Sequence, residues 1–276
     1  VDEMAHGAGS VATVANAESP EATAAEEQPG QSSPRDSRDL QVISRFTRVL
    51  QLFDHERSRI DLATATSELG LNRSTTYRYL TAMVKHGLLS HTTGQGYSLG
   101  PTLSRVGLLA LDRLPLLDRA GPVMQALSET AHETSTLSVW GGSGPLVARV
   151  HDEQSRFIRI SVPVGSTLPI ASAQGQVFLA HLEDQRALDR ALAAVTDRER
   201  AALLARRSEI RRAGLAFSDA SADGLRCIAV PVYGVNNAIT ATLSLIGTLH
   251  RMPRDLDDPR VHALRRAAAE LSQPVL

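Results

Sequence analysis

The 276-residue chain is poor in several things at once: one cysteine, one tryptophan, 4% aromatic residues, and a single lysine (Lys85) among 29 basic residues. One cysteine excludes a disulfide scaffold and any zinc or iron–sulfur site built on several thiolates. No apolar run approaches the roughly 20 residues that cross a bilayer, and the N-terminus lacks the basic-then-apolar layout of a signal peptide. The expectation is a soluble cytoplasmic protein with no membrane partner. The nine histidines are scattered and form no His-Glu-x-x-His or other metal spacing. Gly141-Gly142-Ser143-Gly144 lacks the Lys-Ser/Thr of a phosphate loop and reads as a tight turn. No carboxylate pair suggests acid–base catalysis. Neither an enzyme nor a cofactor is therefore expected.

What is present is 42% apolar residues, enough for one to three cored domains, and a formal charge of −1. That near-neutral charge hides a division. Residues 1–40 hold eight acids and two bases, a net of −6. Residues 41–100 hold seven bases and four acids, a net of +3, and the remainder carries +2. The acidic segment is rich in Ala, Glu, Ser, Pro and Gly and buries too little to offset its ordering entropy, so 1–40 is expected to be a disordered tail.

Ile43, Phe46, Val49, Leu50 and Phe53 recur at helical spacing, with Arg45 off that stripe. A second helix is expected over 62–69, with Asp61 as N-cap and Gly70 as stop, and a third over 73–86, capped by Asn72 and ended by Gly87. Two short strands follow, Leu88 to His91 and Tyr97 to Leu99, around a turn holding Gly94 and Gly96. Three helices and a hairpin in residues 41–100 predict a winged helix-turn-helix. Leu103, Val106, Leu109 and Leu114 predict a linker helix over 101–115, a candidate partner surface. Beyond it, helices are expected at 118–132, 174–182, 184–193, 197–212 and 259–273, and strands at 135–140, 145–150, 157–162, 226–233 and 238–247. That mixture makes 116–276 an α+β domain.

A helix fits the major groove, and its N-terminal side chains reach base edges. Arg73, Ser74, Thr75, Tyr77 and Arg78 occupy that end of the third helix, with Arg78 the foremost DNA contact. Arg45 could touch the phosphate backbone, and Thr92, Gln95 and His91 a phosphate or the minor groove. A net +3 is weak for one module, since affinity follows neutralised phosphates, so a dimer on a palindromic site is expected. Two other classes compete: an enzyme with an added helical domain, and a winged helix that binds protein.

The stretch Leu71 to Leu80, with Gly87-Leu88-Leu89 and Tyr97-Ser98-Leu99-Gly100, resembles the DNA-binding part of the IclR family of bacterial transcriptional regulators. Gly165-Ser166-Thr167-Leu168-Pro169 leading to Ser172-Ala173-Gln174-Gly175-Gln176 resembles its loop and helix start beside an effector pocket. Gly214 to Phe217, then Gly224 to Val232, resemble its strand entry, and Thr242 to Gly247 its next strand. The resemblance implies a GAF-like domain at 116–276 that binds a small effector, an organic acid or an aromatic compound, and assembles the oligomer. It implies a homodimer or dimer of dimers on double-stranded operator DNA, more readily a repressor than an activator, controlling catabolic or metabolic genes. The effector residues it implies are Ser172, Ala173, Gln174, Gly175, Asp219, Cys227, Ser244 and Ile246. The N–H groups of 172–174 at a helix start would suit a carboxylate. Three departures border that pocket. The segment between Pro169 and Gly175 is one residue short, with Ile170 or Ala171 where a polar residue is common. Ser218, Asp219 and Asp223 replace an acidic pair, and Ile246 replaces a small or polar residue. A more apolar ligand follows from these.

Overall fold

The computed structural model describes residues 34–152, 160, 162–220, 223–252 and 254–272. Two compact units divide the chain, Val1–Ser44 and Arg45–Leu276, and of the first only the opening of one helix is described. That helix, α1 (Pro34–Leu50), starts seven residues before the expected boundary at 41. Pro34, whose ring pre-sets φ for a first helical turn, opens it, a start signal hidden in an otherwise tail-like composition. Residues 1–33 of the expected tail lie outside the described residues.

From Arg45 onward the expected module forms. α2 (Leu62–Leu69) is capped by Asp61, whose carboxylate accepts from the Thr64 N–H at 2.7 Å, and ends at Gly70 in the left-handed region. α3 (Arg73–Lys85) is capped by Asn72, which accepts from the Thr75 N–H at 2.8 Å. Strands β1 (Leu89–Thr92) and β2 (Gly96–Leu99) pair antiparallel as the wing. One core holds them together: Val49, Ile60, Ala65, Leu69, Leu80, Met83, Leu89 and Tyr97 are buried, with Phe46 and Phe53 packed against them. Ile43, expected on that apolar stripe, is instead 64% exposed.

α4 (Pro101–Asp112) follows, and Pro115 opens α5 (Pro115–Ala131). The α+β part adds β3 (Thr134–Trp140), β4 (Pro145–His151), α6 (Ala173–His181), α7 (Gln185–Ala191), α8 (Asp197–Ala213), β5 (Ala216–Ala220), β6 (Leu225–Tyr233), β7 (Ile239–Thr248) and α9 (Pro259–Leu271). The strands form one antiparallel sheet in the order β4-β3-β7-β6-β5. β5 is a strand that the sequence pattern does not predict. The strand expected at 157–162 lies almost wholly outside the described residues.

Strand alternation gives the sheet two unlike faces. Leu137, Ile228, Val230, Val232, Leu243 and Leu245 turn to α5 and α9 and make the largest core. Thr136, Ala229, Thr242, Ser244 and Cys227 turn the other way, beneath α6. α6 is buried along almost its whole length, which explains why it has no clear amphipathic stripe. Arg207 of α8 steadies its end, donating to the carbonyls of Leu179, at 2.8 Å, and of Leu182. No helix among the described residues is long and apolar enough to cross a membrane.

Candidate DNA interface and effector cavity

In α3 the inward stripe is sealed: Thr76, Leu80 and Met83 have no exposed surface. The outward side carries Arg73, Ser74, Tyr77 and Arg78 into solvent, with Tyr77 54% exposed, and Thr75 half-buried. A helix whose polar end projects this way can enter a groove without disturbing its own core.

The wing stands beside it because Ile60 acts as a third strand position. Its N–H donates to the Tyr97 carbonyl at 2.9 Å and the Tyr97 N–H donates back at 2.7 Å. Gly96 permits that approach: its φ is +82°, and a Cβ there would lie 2.4 Å from the Ile60 carbonyl oxygen. His91 packs on Tyr97 with ring centroids 4.6 Å apart, which leaves Thr92 and Gln95 exposed at the tip. Between wing, Tyr77 and the start of α2 runs an open cleft whose rim includes Arg57 and Arg59. Sequence reasoning missed both arginines. Their signal was two bases within four residues of the Asp61 cap, too short a pattern to separate from ordinary loop charge.

Arg45 points elsewhere. Its guanidinium donates to the Tyr79 hydroxyl at 2.7 Å and stands 5.5 Å from that ring's centre. This arginine braces α1 on α3.

The second site is a cavity of about 400 Å³ between the polar face of the sheet, the start of α6 and β5–β6. Ser172, Gln174, Asp219, Cys227 and Ile246 line it, as do Thr136, Ser218 and Arg226. The other three sequence-derived residues stand behind the wall. Ser244 bonds Thr136 at 2.6 Å and accepts from Gln174 Nε2 at 2.7 Å. The Ala173 N–H is spent on Ser218 Oγ at 2.8 Å. Gly175 fits where a Cβ would sit 2.4 Å from the Ile170 carbonyl oxygen, and its N–H donates to Ser172 Oγ at 3.1 Å. The helix start is thus largely self-satisfied, contrary to the expected open row of donors for a carboxylate.

Gln174 ties the site together. Its amide donates to Thr136 at 2.6 Å and to Ser244, while its carbonyl accepts from Thr242 at 3.4 Å. Asp219 is held well below the usual carboxylate range, first by its hydrogen bonds from Arg226 and then by Arg254. The Arg226 pair is bidentate, 2.7 and 3.0 Å. Burial pushes the Cys227 thiol up to about 12 against the opposing hydrogen bond with Ser244. It is therefore protonated at neutral pH and not a nucleophile. Among the described residues no group of three or more His, Cys, Asp or Glu could hold a metal ion.

A helix-turn-helix with an exposed reading helix, carried on one chain with an α+β part that encloses a ligand-sized cavity, defines a one-component regulator. Residues 42–92 match the IclR helix-turn-helix domain and residues 108–273 match the bacterial transcriptional regulator IclR C-terminal domain. The chain belongs to the IclR family of bacterial transcriptional regulators. It is similar to the HTH-type transcriptional regulator BhcR of Paracoccus denitrificans, 29% identical with 86% of this chain and 87% of that protein covered. It is also similar to the acetate operon repressor of Salmonella typhimurium, 28% identical over 78% of this chain and 83% of the relative. A crystal structure of a putative IclR transcriptional regulator from Silicibacter matches with a TM-score of 0.73 and 28% identity, covering 84% of this chain and 94% of that one. The protein is a ligand-responsive, DNA-binding regulator of catabolic or metabolic genes.

Proposed function

We propose that α3 lies in the major groove of double-stranded operator DNA, with Arg73, Ser74, Thr75, Tyr77 and Arg78 at the bases and neighbouring phosphates. The observation that carries this is the division of α3 into a sealed stripe and an exposed polar one. Arg78 reads a base, and Thr92 and Gln95 of the wing meet phosphate or the minor groove. Arg57 and Arg59 neutralise phosphate along the cleft. Arg45 acts indirectly, by fixing α1 against Tyr79.

The cavity in the GAF-like domain takes a small organic effector against Ser172, Gln174, Asp219, Cys227 and Ile246, while Ala173, Gly175 and Ser244 shape it from behind. The working unit is a homodimer or a dimer of dimers, and α4 supports this: Val106, Leu108, Leu109 and Leu111 are 45–69% exposed on one helix. Effector binding shifts the separation of the two reading helices and so changes operator affinity. Repression is the expected sign, a reading supported by the relative named as a repressor.

Footprinting on the DNA upstream of its own gene tests the assignment. Arg78→Ala should weaken operator binding by about 10-fold or more, a loss of about 1–3 kcal/mol, and relax preference at one base position. Arg59→Ala should weaken all sequences alike and lower the salt slope by about one. Unchanged, sequence-specific protection by Arg78→Ala would remove that residue from the interface.

A further inference from the structure

The polar side of α3 continues past its first two turns. Ser74, Arg78, Thr81 and Lys85 follow one another at intervals of four, three and four residues, and all are exposed. That spacing draws one line along the helix, opposite the sealed Thr76, Leu80 and Met83. With the rise of a helix the line is about 16 Å long.

The line is also clear of negative charge. Residues 69–111 hold Arg73, Arg78, Lys85 and Arg105 and no acid, in a chain with 30 acids. The nearest acids serve their own chain: Asp61 accepts from the Thr64 N–H at 2.7 Å, and Glu68 lies 3.6 Å from Arg57. Such a surface suits a polyanion along its whole length.

Thr81 differs from threonines in the other helices. Thr66, Thr76 and Thr130 each donate the hydroxyl to the carbonyl four residues earlier, at 2.6–3.1 Å. Among the described residues Thr81 makes no such bond, and it is exposed. A threonine presented this way can touch a thymine methyl with its own methyl or bond a base edge with its hydroxyl, and both carry sequence information. Lys85 stands one turn further on. A straight helix leaves a curved groove at its far end, where a long, flexible ammonium meets phosphate as a point charge. A lysine in a last turn also opposes the helix dipole. That role involves no DNA, so salt dependence of binding separates the two.

We infer that Thr81 is a further base-reading residue of α3, at a base pair next to the one met by Arg78, and that Lys85 anchors the far end of the helix on a phosphate. The inference rests on α3 lying in the major groove.

The test uses the full chain on the operator upstream of its own gene and on a library randomised across the half-site. Thr81→Ala should lower operator affinity by about fivefold or more and flatten the preference at one base pair, distinct from the one that Arg78→Ala flattens. Lys85→Ala should weaken all sequences alike and lower the salt slope by about one, and Lys85→Arg should restore it. Both alanine variants replace exposed side chains and should remain folded by circular dichroism. Thr81→Ala with the parent's preference at every position, or Lys85→Ala with the parent's salt slope, overturns the inference. Impaired binding by Arg78→Ala in the same assay would then leave the groove reading standing. Parental binding by Arg78→Ala as well would bring that reading down with it.

Discussion

At the scale of single residues, the two sites differ in how openly the sequence states them. Arg73, Ser74, Tyr77 and Arg78 are exposed because helical periodicity already separates them from Thr76, Leu80 and Met83, and that periodicity is a property of sequence. The cavity residues obey no such local rule. Ser244 could have faced either side of its strand, and only the sheet register shows it opposite Thr136 and under Gln174. Arg45, a candidate phosphate contact, also bonds Tyr79, 34 positions away, a partner that no local pattern shows. Asp219 yields a pH prediction. Its pairing with Arg226 and Arg254 lowers its folded pKa, so the ionised form favours the fold, and that contribution is complete above the unfolded value of about 3.9. Asp219→Asn should therefore cost about 1–3 kcal/mol at pH 7, by stranding Arg226. The gap between variant and parent should narrow as pH drops from about 4 towards 2, because the unfolded carboxyl takes up its proton there while the folded, Arg-paired one still resists it. Urea unfolding across that range checks it; a gap that stays constant with pH would mean the pair contributes nothing as an ion pair.

At the scale of elements, capping chemistry was the most readable feature. Asp61 and Asn72 cap as their spacing requires, and Gly70 ends α2 as expected. β5 was unreadable because Ala216-Phe217-Ser218-Asp219-Ala220 has one large apolar side chain and no sustained alternation. It is a strand because β6 offers it an edge, and its Asp219 reaches across to Arg226. The wing depends on one close approach. Gly96→Ala would set a Cβ against the Ile60 carbonyl in a backbone region that L side chains rarely adopt. The expected cost is about 1–3 kcal/mol, together with weaker operator binding as the hairpin leaves Ile60. Chemical denaturation and a binding titration on the same preparation would measure both, and an unmoved denaturation midpoint would show that the hairpin tolerates the displacement.

At the scale of the whole molecule, the global charge of −1 was a poor guide to partner, because acids concentrated before residue 41 cancel a basic reading module. A better guide is α4, where every residue from Ser104 to Leu111 is exposed although half of them are large and apolar. A helix apolar on its outside needs a cover. In the proposed dimer a second copy of the chain would supply the same helix by symmetry, and burying one leucine in each copy would be worth about 1.5–3 kcal/mol per side chain. Leu108→Glu should therefore raise the dimer dissociation constant by at least about tenfold in sedimentation velocity and weaken operator binding in parallel. Wild-type sedimentation behaviour in that variant would move the subunit contact away from α4.

The tight seat of Gly175 bears on how such a regulator can change its ligand over time. Each single-base change in a glycine codon that puts another residue there adds at least a Cβ, and here that atom would meet the backbone of Ile170. The position has no tolerable neighbour in mutational space. Walls such as Ala171, Leu225 and Ile246, where side-chain size can vary, are open to drift. New ligand preferences in this scaffold should accumulate at the walls, while the turn beneath the helix stays frozen.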